Sequence, residues 1–374
     1  MPVTIGALAE SSPQETRVSL VPEVSEKLVR SGARVMLQPG AGVRARFPDS
    51  AYTNVTWAAP EEIFEQADVL LCVQPPTLPQ IQQIKRSTVL IGFLQPHARL
   101  TEVQALKEKG VTSFAMELVP RISRAQSMDA LSSQAAIAGY KAVLIAAEHL
   151  PKFLPMLTTA AGTIRPALVL IIGAGVAGLQ AIATARRLGA VVEAYDVRSA
   201  TREQVKSLGA KFVETGVSAE GAGGYARELT PEERRQQQTA LEARIAAADA
   251  VVTTAAVPGR PAPKIIPSGA VERMRPGSVI VDIAAEQGGN CELTRPGEVV
   301  DHHGVQIVGP VNLAGSLAYN ASEMYSRNLL NFLKPALHEG ALAIDWNDEV
   351  FAQSCVTHLG EIRHEATRRA LEAK

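Results

Sequence analysis

Blocks of hydrophobic and polar residues along this chain predict strands and helices in alternation. In the N-terminal part, apolar runs long enough for buried strands are separated by segments whose apolar residues recur at helical spacing. The predicted strands are residues 3–8, 34–38, 69–73, 89–93 and 111–116, and the predicted helices are residues 24–30, 61–65 and 101–109. Such alternation is typical of a parallel sheet covered by helices on both faces.

The rest of the chain repeats this pattern. Strands are predicted at residues 167–172, 191–195, 250–254, 278–283 and 305–308, and helices at 179–188 and 231–247. Long helical stretches at 129–149 and 322–333 connect the two parts. We therefore predict an α/β protein with two Rossmann-like, doubly wound parallel-sheet domains and an interdomain cleft. The N-terminal domain comprises residues 1–128 and is completed by residues 320–374, and the second domain comprises residues 129–319.

A glycine-rich turn lies between a predicted strand and a predicted helix of the second domain. Its sequence, Gly173-Ala174-Gly175-Val176-Ala177-Gly178, predicts a dinucleotide site. Gly173 allows the tight turn, Gly175 lets the backbone approach a pyrophosphate, and Gly178 lets helix and strand pack closely. The unpaired amides of the first helical turn, at Val176 and Ala177, face the anion. The alternative interpretation is a tight turn that binds nothing.

An acidic residue follows the next predicted strand. Asp196 lies 18 residues after Gly178, close to the spacing of about 20 at which an acid accepts hydrogen bonds from the adenosine ribose. A carboxylate at this position favours NAD over NADP, because it would repel a 2′-phosphate. The neighbouring Val197 and Arg198 complete this part of the predicted nucleotide site. Three interpretations of Arg198 stay open: stacking on the adenine, pairing with a pyrophosphate oxygen, or a solvated side chain.

Composition and charge exclude several classes of function. With 374 residues, 46% of them hydrophobic, the chain is long enough for two globular cores. Its formal net charge of −1 provides no attraction for nucleic acid. Three widely spaced cysteines, Cys72, Cys291 and Cys355, favour a reducing compartment and no disulfide framework.

One uncharged stretch, residues 166–185, is long enough to span a bilayer. The glycines in its middle divide it into a strand and a helix, and Arg186 and Arg187 suit the last turn of a soluble helix. We therefore predict that this chain does not itself span a membrane. The N-terminus also lacks the basic and apolar regions of a secretion signal.

A polar loop, residues 120–129, precedes the predicted connecting helix and is expected to point into the cleft. Arg121 is able to pair with Asp129, Gln126 offers an amide, and Ser132 offers a hydroxyl in the first helical turn. The alternative interpretation is structural, with Asp129 capping the helix and the remaining residues forming a loop.

Other loops are candidates for the same site. A glycine-rich stretch, Gly221-Ala222-Gly223-Gly224-Tyr225, forms either a lid over a bound ring or a solvated surface loop. Residues 255–263, which include Ala256 and Val257, and residues 284–290 leave the carboxyl ends of strands, the edge where ligands bind. For Asp301-His302-His303 we predict no metal site, because adjacent side chains on a strand or turn diverge.

Together these motifs resemble the NAD(H)-binding component, domain I of the alpha subunit, of proton-translocating NAD(P) transhydrogenases, and more distantly alanine dehydrogenases. The resemblance covers essentially the whole chain. It is carried by residues 15–18, 121–134, 173–178, 223–226, 253–255, 258–263, 281–282 and 288–291. One departure is Leu313-Ala314-Gly315-Ser316, where the family usually has proline and arginine.

The resemblance implies roles for four residues that line the nicotinamide end of the site: Arg121, Gln126, Asp129 and Ser132. Gln126 reaches toward the partner's NADP(H), and Tyr225, beside Gly224, lies on a mobile loop that closes over the nucleotide. The resemblance also implies a homodimer that docks on membrane subunits and on a separate NADP(H)-binding domain. The expected location is therefore cytoplasmic, peripheral on the cytoplasmic face of a bacterial inner membrane.

The chemistry of the two relatives differs in one requirement. Oxidising an amino acid needs a group that removes a proton, whereas hydride transfer between two nicotinamides does not. The resemblance places a lysine and a histidine in the alanine dehydrogenase substrate site, where this chain has Gln74 and Gln95. We therefore predict a Re/Si-specific, proton-translocating transhydrogenase component that is incomplete without its partner subunits. The alternatives are an alanine-type amino-acid dehydrogenase and a noncatalytic NAD sensor.

Overall fold

Two sheets, each with its own helices, make up the described portion of the chain. The computed structural model describes residues 2–217, 230–256 and 261–372. The chain divides into two compact units, one formed by Met1–Gln134 with Ala314–Lys374 and the other by Ala135–Leu313. The predicted α/β class with Rossmann-like sheets is confirmed.

The strands and helices are numbered here in chain order. The strands are β1 Thr4–Ala7, β2 Arg34–Leu37, β3 Thr56–Trp57, β4 Val69–Leu71, β5 Val89–Gly92, β6 Thr112–Ala115, β7 Leu157–Thr159, β8 Gly162–Ile164, β9 Leu168–Ile172, β10 Val191–Tyr195, β11 Lys211–Phe212, β12 Ala250–Thr253, β13 Val279–Asp282, β14 Val299–His302, β15 Val305–Val308, β16 Leu337–His338, β17 Ala341–Leu342, β18 Cys355–His358 and β19 Glu361–Ile362. The helices are α1 Pro22–Arg30, α2 Pro60–Gln66, α3 Leu78–Gln83, α4 Leu100–Lys109, α5 Ala130–His149, α6 Val176–Arg187, α7 Arg202–Ser207, α8 Pro231–Ala247, α9 Ser268–Val271, α10 Ala318–Leu333, α11 Glu349–Ser354 and α12 Glu365–Glu372.

The sheet of the first unit has the order β19-β18-β6-β5-β4-β1-β2-β3. Strands β1 to β6 pair in parallel, as the alternation of strands and helices predicts. The C-terminal strands extend this sheet differently, because β18 pairs antiparallel with β6 and β19 pairs antiparallel with β18. The prediction of a wholly parallel sheet is therefore wrong at this edge.

The sheet of the second unit has the order β11-β10-β9-β12-β13-β15-β14. Its strands are parallel except β14, which pairs antiparallel with β15 at the edge. The chain moves outward from β9 to β10 and β11, and then returns to the other side of β9 with β12. This reversal is the switch point at which ligands bind in doubly wound folds, outside the carboxyl ends of the strands.

Both faces of each sheet are covered, which explains the unbroken apolar runs of the central strands. In β9, Val169 and Ile171 belong to one buried cluster, whereas Leu170 and Ile172 belong to the cluster on the opposite face. In β4, the alternate residues Val69 and Leu70 are divided in the same way. Strands buried on both faces need apolar residues at every position, unlike strands with one wet face.

Several short elements carry too little periodic pattern for prediction. The two-residue strands β3, β11, β16, β17 and β19 and the exposed hairpin formed by β7 and β8 were not predicted. Helix α6 begins at Val176 and α10 at Ala318, each earlier than the apolar periodicity alone indicates. The first turns of both helices contain small or polar residues, so packing rather than hydrophobic pattern sets their starts.

Among the described helices, α5 is long and apolar enough to cross a membrane by length and composition alone. Core helices of soluble proteins meet the same two criteria, so the observation is weak evidence for a span. Three of its residues, Ala142, Val143 and Ala146, are buried in the hydrophobic core of the second unit.

Candidate functional site

The turn between β9 and α6 requires glycine at two positions. Gly173 has a φ of +99°, and a Cβ there would lie 2.5 Å from the hydroxyl oxygen of Thr254. At Gly178, a Cβ would lie 1.8 Å from the carbonyl oxygen of Gly173, a distance that no side chain tolerates. Strand β9 and helix α6 therefore approach each other as closely as backbone atoms allow.

Gly175 differs from these two glycines. Its φ is −80°, which any residue adopts, and no described atom lies within 4 Å of the position a Cβ would take. It precedes Val176, the first residue of α6, and no side chain caps this end of the helix. The helix start thus offers unpaired backbone amides and the positive end of a helix dipole, and its first turn contains no acidic residue. An anionic group such as a pyrophosphate fits this place.

Asp196 follows β10 and takes part in four hydrogen bonds. Its Oδ2 accepts from the amide of Ala174 at 2.7 Å, and its Oδ1 accepts from the amide of Arg198 at 2.8 Å. The guanidinium of Arg198 adds two more, Nε to Oδ1 and Nη2 to Oδ2, both at 2.9 Å. Burial opposes ionisation, but the hydrogen bonds from Arg198 outweigh it and hold the pKa of Asp196 below its ordinary value. The ion pair with Asp196 is not among the three interpretations that the sequence left open for Arg198.

Two buried polar residues fix the loops that leave β12 and β13. Asn290 donates to the carbonyl oxygens of Ala255 at 2.7 Å and Pro263 at 2.9 Å, and its own Oδ1 accepts from the amide of Ala255. The residue is fully buried. Because one side chain satisfies both ends of the loop, Asn290 determines where residues 255–263 begin and end.

Asp282, the last residue of β13, plays a similar role for the following loop. Its carboxylate accepts from the hydroxyls of Thr253 at 2.9 Å and Thr294 at 2.6 Å, and from the amide of Cys291 at 3.0 Å. Sequence reasoning included Asp282 and Asn290 in the motifs that carry the resemblance, but did not assign them to the site. The available signal was a polar residue at the end of a strand and another inside a glycine-rich loop.

In the first unit, Asp129 caps helix α5. Its Oδ1 accepts from the amide of Ser132 at 2.8 Å, and its Oδ2 accepts from the hydroxyl of Ser132 at 2.6 Å. The suggested ion pair between Arg121 and Asp129 is not formed, because the carboxylate is taken up by the start of the helix. Within residues 2–217, 230–256 and 261–372, the side chains of Arg121 and Gln126 are exposed and make no hydrogen bond or ion pair.

The backbone of this loop is nevertheless held in place. The carbonyl oxygen of Ser127 accepts from the amides of Asn328 at 2.9 Å and Asn331 at 3.1 Å on α10. Arg124 donates to Asp348 at 3.0 Å. The loop therefore presents Arg121 and Gln126 from a fixed backbone, and both side chains are available to a ligand.

A chain of polar side chains extends from the start of the first unit to the ends of β4 and β5. Arg17 donates to both carboxylate oxygens of Glu15 at 2.8 and 2.7 Å, and to Gln134 at 2.8 Å. Gln74 donates to Glu15 at 2.8 Å, and Gln95 donates to Gln74 at 3.2 Å. Arg17 and Glu15 are buried and neutralise each other, whereas the two glutamines form an uncharged end.

Two further carboxyls lie next to these glutamines. Glu10 accepts from the amides of Val73 at 2.6 Å and Gln74 at 3.1 Å, and burial raises its pKa to about 7. Glu117 accepts from the amide of Leu94 at 3.0 Å, and burial raises its pKa to about 7 as well. Both carboxyls are occupied by backbone amides that follow β4 and β5.

Three predicted site residues, Gly224, Tyr225 and Val257, lie outside the described residues. Ala256 is exposed at the end of a described segment, and Val197 is exposed next to Asp196. At Asp301-His302-His303 the reasoning from divergent neighbours is wrong. The rings of His302 and His303 lie 4.5 Å apart between centroids, at an angle of 81°, because His303 has a φ of 54° and turns its side chain back.

Comparison with known proteins places the whole chain in one context. Residues 6–138 match the family model described as "Alanine dehydrogenase/PNT, N-terminal domain", and residues 142–365 match "Alanine dehydrogenase/PNT, C-terminal domain". The chain is 47% identical to the first part of NAD(P) transhydrogenase subunit alpha of Rhodospirillum rubrum, covering 96% of this chain and 97% of that protein. It is 27% identical to alanine dehydrogenase of Mycolicibacterium smegmatis, with 98% and 96% covered. A solved transhydrogenase structure from Sinorhizobium meliloti matches with a TM-score of 0.86 and 41% identity, covering 97% of this chain and 99% of that one.

Proposed function

Because the chain belongs to the alanine dehydrogenase/PNT family, we propose that it binds NAD(H) and exchanges hydride with NADP(H) held by a partner polypeptide. It is the NAD(H)-binding component of a transhydrogenase. The likeness to the Rhodospirillum rubrum alpha-subunit polypeptide extends over nearly the full length of both chains and supports this proposal.

NAD(H) fits the second unit at three places. The uncapped start of α6, with the amides of Val176 and Ala177 beside Gly175, holds the pyrophosphate. The carboxylate of Asp196 accepts from the adenosine ribose and disfavours the 2′-phosphate of NADP. Val197, Arg198, Ala256, Val257 and Gly224 complete the proposed nucleotide contacts.

The observation that carries the choice of reaction is the hydrogen bond between Gln95 and Gln74. Dehydrogenation of an amino acid needs a base that accepts a proton, and amides cannot do so at neutral pH. The neighbouring carboxyls of Glu10 and Glu117 are engaged with backbone amides. An uncharged, mutually bonded pair suits a reaction in which no proton is removed from the substrate.

Catalysis then rests on orientation and electrostatics. The nicotinamide ring, when bound, supplies or accepts the hydride. Arg121, Gln126, Asp129 and Ser132 orient the ring, with Asp129 and Ser132 already joined to each other, and Tyr225 covers the nucleotide from its loop. Gln126 is exposed on a fixed backbone and reaches toward the second nucleotide. Holding two reactants in contact supplies much of the acceleration for such a transfer.

We also propose the assembly that this chemistry requires. The chain works as a homodimer, docked on an NADP(H)-binding domain and on membrane subunits that couple hydride transfer to proton translocation. It is then peripheral on the cytoplasmic face of a bacterial inner membrane. The interdomain cleft expected from the sequence remains a prediction.

Reconstitution tests the proposal. The purified chain is mixed with the NADP(H)-binding partner, and reduction of an NAD analogue by NADPH is followed spectroscopically. We expect a rate that neither component gives alone, and one that falls when Gln126 is replaced by asparagine. A mixture with no rate above its separate components would refute the proposal, and alanine-dependent NADH production by the chain alone would favour the amino-acid dehydrogenase instead.

A further inference from the structure

The turn between β14 and β15 brings two histidines next to the end of α9. His302 is the last residue of β14, and His303 adopts the left-handed conformation that reverses the chain. Glu272 directly follows α9, and its carboxylate oxygen lies 3.6 Å from Nε2 of His302. The ligand atoms of these three residues all lie within 4.8 Å of one another.

One atom in this group is unsatisfied. Nε2 of His302 is buried and has no hydrogen-bond partner among the described residues. A buried polar atom without a partner is costly, and such an atom calls for an explanation. Its nearest opposite charge is the carboxylate of Glu272, at a distance too long for a hydrogen bond but suitable for two ligands of one ion.

The geometry is close to that of a metal site. Ligands at about 2.0–2.1 Å from a tetrahedral zinc ion lie about 3.4 Å from each other. The separation of 3.6 Å between His302 and Glu272 is near this value. Glu272 and His303 are exposed, so their side chains are free to close the remaining distances. Asp301 is occupied elsewhere, because its carboxylate accepts from the amide of Gly304 at 3.1 Å.

We propose that Glu272, His302 and His303 bind a divalent transition-metal ion, with Zn²⁺ as the reference ion. Two imidazole nitrogens and one carboxylate oxygen suit zinc and its neighbours rather than magnesium or calcium, which prefer oxygen ligands. Water completes the coordination. The turn precedes β15, whereas the glycine turn follows β9, and the two strands run in the same direction within the sheet. The site therefore lies at the edge of the sheet opposite the proposed nucleotide site, and it acts by joining α9 to the β14–β15 hairpin.

The test uses the full chain without an affinity tag, stripped of metal by a chelator. Zn²⁺ is titrated by calorimetry and by competition with a chromogenic chelator. We expect one ion per chain, with affinity reduced at least tenfold in His302→Gln and in His303→Gln. His97→Gln is the matched control, since His97 and His364 also form a ring pair, with centroids 5.4 Å apart, in the first unit.

Glu272→Gln provides a second variant that alters only an exposed side chain, and circular dichroism verifies that each variant is folded. The expected result is weaker Zn²⁺ binding in Glu272→Gln and unchanged binding in His97→Gln. NADH titration in parallel is expected to be insensitive to Zn²⁺, so this proposal and the proposed function fail independently. Absence of stoichiometric binding, or binding that survives His302→Gln in a folded variant, would overturn the proposal.

Discussion

Arg198 holds the carboxylate of Asp196 through two hydrogen bonds of 2.9 Å, one to each oxygen. The same carboxylate also accepts the amide of Ala174 in the glycine turn. Asp196 therefore joins the end of β10 to the turn after β9 before any nucleotide binds. Half of the Arg198 side chain is exposed, so the guanidinium is able to leave when ribose hydroxyls arrive.

Replacing Asp196 by asparagine tests its role in nucleotide choice. The variant loses a charged acceptor for the ribose, so we expect NADH affinity to fall about 10- to 100-fold, since a hydrogen bond to a charged group contributes about 1.5–3 kcal/mol. Loss of the negative charge also removes repulsion toward a 2′-phosphate. The ratio of NADPH to NADH affinity should therefore rise, as measured by fluorescence titration of both nucleotides.

Asp249→Asn is the matched control for this variant. Asp249 is also a buried carboxyl that accepts from a backbone amide, that of Leu168, and pairs with Lys152 and Arg275. It precedes β12 and so lies at the opposite edge of the sheet from the glycine turn. We expect lower stability but unchanged nucleotide preference. Equal NADH affinities of Asp196→Asn and wild type would contradict the assignment of Asp196.

The three glycines of the turn should respond differently to alanine. Gly178→Ala places a Cβ 1.8 Å from a carbonyl oxygen, so we expect a loss of stability of several kcal/mol. Gly175→Ala meets no described atom within 4 Å, so its thermal midpoint should remain near that of wild type. Its NADH affinity should nevertheless fall, because the methyl group occupies the approach of the pyrophosphate.

Gly269→Ala controls for the glycine replacement itself, since no described atom lies within 4 Å of its Cβ position either. It lies in α9, apart from the glycine turn. We expect neither stability nor NADH affinity to change appreciably. Unchanged NADH binding in Gly175→Ala would favour the alternative of a tight turn without a ligand.

Gln126→Ala should separate binding from transfer. The Gln126 side chain is exposed and makes no hydrogen bond within the described ranges, so its removal should change stability by less than about 0.5 kcal/mol. We expect NADH affinity to survive and hydride transfer to the partner's nucleotide to fall at least tenfold. Arg124→Gln, which disrupts the ion pair with Asp348 in the same loop, reports the effect of loosening the backbone. A noncatalytic NAD sensor would retain its response in Gln126→Ala.

The pH dependence of stability should reveal Glu10 and Glu117. Burial raises both pKa values from 4.5 to about 7, so the folded state binds more protons than the unfolded state between these values. The stabilisation from the protonated carboxyls is fully present below about pH 4.5 and is lost as the pH rises through about 7. The shift corresponds to a decrease on the order of 3 kcal/mol per group.

Glu10→Gln removes one titrating group, so the decline in stability from pH 5 to pH 8 should become shallower. Absolute stability also falls, because an amide has one acceptor oxygen for the two amides that Glu10 now binds. The slope of the urea midpoint against pH is therefore the informative measurement. Glu65→Gln, an exposed position in α2, should leave that slope unchanged. A Glu10→Gln slope equal to that of wild type would contradict the raised pKa.

Much of the fold follows from local patterns in the sequence. Strands β10 and β15 and helix α8 have the predicted ends, because continuous apolar runs and a threonine-proline helix start are visible in the residues themselves. The two-residue strands and the C-terminal antiparallel pair were missed, since their partners are distant in sequence. A strand of two residues has no periodicity of its own.

The sequence alone determined the alternation of strands and helices, the glycine turn and the acidic residue that follows the next strand. These features depend on neighbours within a few residues, where steric and hydrogen-bonding preferences act directly. Only the tertiary structure decided that Arg198 occupies Asp196, that Asp129 serves α5, and that Asn290 fixes its loop. Those outcomes depend on which donors and acceptors meet in space, and a buried polar group takes the partners that the surrounding fold brings to it.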